Sequence, residues 1–85
     1  MLGNRPSDKN LQKFIFAVSK LDTLEFIGLV KVMGIEIFNN DEEKTPKKFE
    51  DLMSDIIDKY ILLSRTQRRT IMKIVKMANL GKIEV

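Results

Sequence analysis

Apolar side chains recur at three- and four-residue intervals along most of this sequence, and the runs they form are cut at two places by the same local device. In "DTLE" Asp22 is followed three residues later by Glu25, and in "SRTQ" Ser64 is followed three residues later by Gln67. Both are capping-box patterns, in which the first side chain accepts from the amide three residues on and the later side chain accepts from the amide of the first. Helical periodicity punctuated by helix starts points to an all-α chain.

Four stripes can be traced. With Ser7 or Asp8 as N-cap, Leu11, Phe14, Ile15, Val18 and Leu21 predict a first helix over about residues 9–21. The Asp22–Glu25 box, with Leu21 placed to staple onto Phe26, starts a second over about 23–33. That segment is apolar around most of its circumference, and it ends at Gly34, which can take the left-handed C′ position of a Schellman motif with Ile35 folding back on Val30. "IEIF" then alternates, predicting a short extended piece near 35–38 that lays Phe38 on the core, before the turn-rich acidic "NNDEEKTP". Thr45 as N-cap with Pro46 at the first helical position begins a third helix, about 46–63, whose stripe is Phe49, Leu52, Met53, Ile56, Ile57 and Tyr60. On its polar face Asp51, Asp55 and Asp58 stand in a row, eased by Lys47 to Asp51 and Asp55 to Lys59. The Ser64 box opens a fourth helix, about 65–79, stopped by Gly81. The expected architecture is a small four-helix domain of two packed αα-hairpins over 9–81, with a flexible tail at 1–8 and a second tail at 82–85.

The residue inventory narrows function. With no His and no Cys there is no imidazole base, no Ser-His or Cys-His nucleophile pair, and no N/S zinc site. Glycines at 3, 28, 34 and 81 are too scattered to form a phosphate-cradling loop. Asn39, Asp41, Glu43, Thr45 and Glu50 match EF-hand positions 1, 3, 5, 7 and 12, yet Lys44 replaces the required glycine and Pro46 follows it, so a solvated acidic loop is the better reading. A Mg²⁺ site on Asp51, Asp55 and Asp58 competes with an ordinary wet helix face. The expectation is a non-enzyme without metal, cofactor or small-molecule substrate. The absence of cysteine favours a cytoplasmic, reducing compartment, and no apolar run approaches the roughly 18 residues of a membrane span.

Charge is unevenly spread. Residues 36–58 carry eight carboxylates and three lysines, whereas residues 64–83 carry six bases and no acid. Arg65, Arg68, Arg69, Lys73 and Lys76 form a candidate nucleic-acid face on the fourth helix. Against that stand the near absence of a linker after an acidic helix, unlike a helix-turn-helix, and aromatics placed at apolar-stripe or loop-anchor positions, unlike a base-stacking surface. A basic helix lying on a membrane would need a Trp, Phe or Leu face, which is lacking. The bland alternative is a solvated face paired in part with the acids of the third helix.

The leading expectation is therefore a non-catalytic helical protein-interaction module that self-associates. It rests on the second helix, which looks too apolar for three neighbours to cover, with Phe26, Gly28, Val30 and Met33 as the candidate homodimer seam. The alternative is a small nucleic-acid-binding regulator that uses the basic face.

Overall fold

The computed structural model describes residues 5–81. The proposed end of the first tail, residues 1–4, and the C-terminal tail, 82–85, lie outside the described residues. The described residues form four helices: α1 (Asp8–Ser19), α2 (Thr23–Val32), α3 (Phe49–Leu62) and α4 (Arg65–Leu80). The chain is all-α, and among the described residues the only β pairing is an isolated antiparallel bridge between Phe38 and Pro46.

Local chemistry explains where most of these helices begin and end. Ser7 caps α1 by accepting from the Asn10 amide at 3.2 Å. Both capping boxes are closed: Glu25 N–H donates to Asp22 at 2.8 Å and Asp22 N–H to Glu25 at 2.9 Å. Gln67 N–H donates to the Ser64 hydroxyl at 3.2 Å and Ser64 N–H to Gln67 at 3.1 Å. Each box satisfies two amides that a helix start would otherwise orphan. At the end of α2 the Schellman pair is present, with Ile35 N–H donating to Val30 O and Gly34 N–H to Lys31 O, both at 3.0 Å. Gly34 holds φ +73°, where a side chain would be strained.

The start of α3 differs from expectation. Thr45 and Pro46 do not open the helix; Lys48 is its N-cap, without a side-chain bond, and Glu50 and Asp51 in the first turn offset that loss through the helix dipole. Pro46 instead pairs with Phe38 at a position flanked by Asn39 N–H to Thr45 O, 2.7 Å, and Lys47 N–H to Ile37 O, 2.8 Å. A non-hydrogen-bonded pair needs no donor from Pro46, so its missing amide costs nothing there. Thr45 turns inward on its own loop: its amide and hydroxyl donate to Asp41 at 3.3 and 3.1 Å. Desolvation pushes the Asp41 carboxyl up, but these bonds outweigh it and leave its pKa below the ordinary value. The EF-hand spacing thus corresponds to a self-bonded turn, and no acidic cluster able to hold a metal occurs among the described residues. Lys47 bonds Asp55 at 2.9 Å, not Asp51, because it precedes the helix and reaches across two turns.

The core is one cluster fed by every helix: Phe14 and Val18 from α1, Phe26, Leu29 and Val30 from α2, Met33 after it, Leu52, Ile56 and Tyr60 from α3, and Ile71 and Val75 from α4. Burying a side chain of this size stabilises the fold by about 1.5–3 kcal/mol. Phe14 and Tyr60 stack with centroids 3.7 Å apart, and Phe26 meets Phe49 at 4.8 Å, so α3 makes one ring contact to α1 and another to α2. In the extended piece Ile35 and Ile37 pack on the core while Phe38 points outward, half exposed. Alternation permits one parity only, and the two isoleucines took the inner face.

Two expectations about α2 and the N-terminus are corrected. Phe26, Val30 and Met33 are interior residues of the single chain, so they cannot form a seam with a second copy; only Gly28 of that set reaches the surface. The stripe Phe26, Leu29, Val30, Met33 has core spacing, and the loop that follows α2 helps to cover it. At the other end, order extends back past residue 9: Asp8 is helical and Pro6 is buried.

Candidate nucleic-acid interface

Helices α1 and α4 are tied together by Asn79, whose side-chain amide donates to Ala17 O at 3.0 Å. Beside α4, along its length from Arg65 to Leu80, lies a groove of about 730 Å³. One wall is α4, contributing Arg65, Arg68, Arg69, Lys73 and Lys76. The other is the start of α1 and the residues leading into it: Arg5, Pro6, Ser7, Asn10 and Lys13. Tyr60 closes the base, and Met72, Met77 and Leu80 supply apolar lining, Met77 with 65 % of its surface exposed. No carboxylate is among the described residues that line the groove.

Four of the five basic residues singled out from the sequence are exposed on this wall. The fifth, Arg68, also borders the groove but is buried, which corrects its place on the exposed face. It is only 8 % exposed, and its Nη1 donates to the Leu63 carbonyl at 2.6 Å. Arg68 stands three residues before Ile71 and seven before Val75, which is the buried stripe of α4, so helical geometry carries it inward. The Leu63 carbonyl it meets lies at the C-cap of α3, where no intrahelical donor is available. Its charge also opposes, without overcoming, the burial that raises the Tyr60 pKa.

Lys13 and Arg5 are the residues that sequence reasoning missed. Lys13 is off the α1 stripe and reads as an ordinary wet lysine; only the packing of α1 on α4 brings it to the same groove as Arg69 and Lys73. Nothing local in the sequence signals that meeting.

The electrostatics of the groove are unbalanced in two ways. Arg65, Arg69 and Lys73 are four residues apart, and like charges at that spacing destabilise a helix by about 0.2–0.5 kcal/mol per pair. Arg65 also stands in the first turn of α4, which contains no acid. The helix dipole places roughly half a positive charge at that end, which favours anions and disfavours arginine. Across α3, Asp51 and Asp58 are exposed, and the one described ion pair, Lys47 with Asp55, does not involve α4. The basic face is therefore not neutralised by the acidic helix through any described salt bridge.

Neither a protein-family model, nor a curated protein, nor a solved structure matches this chain. The site has to be read from its chemistry alone.

Proposed function

We propose that the protein binds nucleic acid, holding the phosphate backbone in the groove between α1 and α4. The observation that carries this reading is convergence: Arg5 and Lys13 on one wall face Arg65, Arg69, Lys73 and Lys76 on the other, with no carboxylate among the described lining residues. Unit charges about 6 Å apart in water repel by roughly 0.7 kcal/mol, so the empty groove is tolerable, yet an anion placed between the walls gains from every cation at once. A chain of phosphates fits better than a single anion, because 65, 69, 73 and 76 advance along α4 by about 6, 6 and 4.5 Å at 1.5 Å per residue. Backbone contacts of this kind position a strand without reading its sequence. No imidazole or thiol is available for catalysis, and the role proposed is binding, not turnover.

The test is fluorescence anisotropy of labelled duplex DNA and of single-stranded RNA at two salt concentrations, with an Arg65→Ala, Arg69→Ala, Lys73→Ala triple variant alongside. The proposal predicts binding that weakens steeply with salt, log K falling with log[salt] in proportion to the phosphates neutralised, and that disappears in the variant. No binding of either ligand at low salt would remove the reading.

A further inference from the structure

We propose that α2 is also an interaction surface, and that its occupant is a second copy of the same helix packed antiparallel about a two-fold axis at Gly28. On the side of α2 that turns away from the core, Leu24 is 84 % exposed and Val32 57 % exposed, and Gly28 lies midway between them. Residues four apart on a helix advance only about 40° around it, so the three form a line. Gly28 has no counterpart reason inside the chain: a Cβ built there meets nothing within 4 Å. A glycine in mid-helix nonetheless costs roughly 1 kcal/mol relative to alanine, and the benefit it can return is a close approach by another helix.

The occupant follows from self-complementarity. In an antiparallel pair centred on Gly28, a residue at any distance before it faces the residue at the same distance after it in the other copy. Leu24 then meets Val32 of the second copy, apolar on apolar. Glu25 meets Lys31 of the second copy, acid on base, and the reciprocal contacts repeat both pairs. Replacing either partner type by its opposite would set like charges or an apolar–charged mismatch in the seam, so the pattern suits this helix and not an arbitrary one. Ten residues of helix measure about 15 Å, well short of what a stable interface of more than about 1,000 Å² requires. The dimer is accordingly weak and dependent on concentration. This surface is separate from the α1–α4 groove and stands whether or not the groove binds nucleic acid.

Sedimentation equilibrium over a concentration series up to the millimolar range tests it, with Leu24→Glu and Val32→Glu variants whose exposed positions leave the fold intact by circular dichroism. The expected result is an average mass that climbs from monomer toward dimer for the natural chain and stays monomeric for both variants. A natural chain that remains monomeric throughout, or a dimer that persists in both variants, overturns the proposal.

Discussion

Arg68 Nη1 donates to the Leu63 carbonyl at 2.6 Å, so a side chain from the second turn of α4 closes the end of α3. The bond spans the two-residue corner Leu63–Ser64 and explains how two helices can be joined with so little chain between them. Hydrogen bonds from charged donors contribute about 1.5–3 kcal/mol, and removing this one strands a carbonyl. Arg68→Ala is expected to lose roughly 2 kcal/mol in urea unfolding while leaving the salt slope of nucleic-acid binding unchanged. Arg69→Ala should do the reverse, with no loss of stability, a gain of up to about 1 kcal/mol from the two repulsive pairs it removes, and a reduced slope. The pair separates a structural arginine from a binding one on adjacent positions.

Arg69 sits four residues from both Arg65 and Lys73, and its replacement by glutamate converts two repulsive pairs into two attractive ones. At about 0.2–0.5 kcal/mol for each pair lost and gained, Arg69→Glu should stabilise the protein by about 1 kcal/mol. For a domain of this size that raises the melting temperature by roughly 4–8 °C. The same change should abolish binding. A destabilised variant would mean that the basic wall is not frustrated, and a variant that still binds would mean that it is not functional.

Tyr60 has its pKa raised by burial, an effect that the nearby Arg68 only partly opposes. In the unfolded chain the phenol ionises near its ordinary value of about 10, whereas in the folded chain it holds its proton to higher pH. Its contribution to stability is therefore complete below about pH 10 and is lost as pH rises toward the folded value. Tyr60→Phe keeps the ring against Phe14. It should match the natural chain at neutral pH to within about 1 kcal/mol and lose less stability between pH 9 and 11.5, as read from guanidinium midpoints. Identical alkaline profiles would contradict this account.

Much of this fold is legible locally. Asp22 with Glu25, Ser64 with Gln67, and Gly34 act within a few residues, so their hydrogen bonds can be read from spacing alone. Thr45–Pro46 has the same kind of signature, but a tertiary pairing with Phe38 claimed it, and α3 begins three residues later. Arg68 and the stripe through Phe26, Val30 and Met33 are legible in principle, since Arg68 stands at i, i+3, i+7 with Ile71 and Val75 and the stripe at i, i+4, i+7, both the spacing of buried residues; position outweighs charge in the first and apolarity around the helix in the second. The α1 wall of the groove was not legible. Lys13 reaches the groove through the packing of α1 on α4, to which the bond between Asn79 and Ala17, far apart in sequence, contributes.

The most direct test of the groove is a ¹⁵N NMR titration of the protein with a short oligonucleotide at low salt. The account predicts shifts along both walls, at Asn10 and Lys13 of α1 together with Arg65, Arg69, Lys73 and Lys76 of α4, while Leu24 and Val32 of α2 stay in place. Shifts confined to α4, or centred on α2 or α3, would contradict a groove that grips its ligand from two sides.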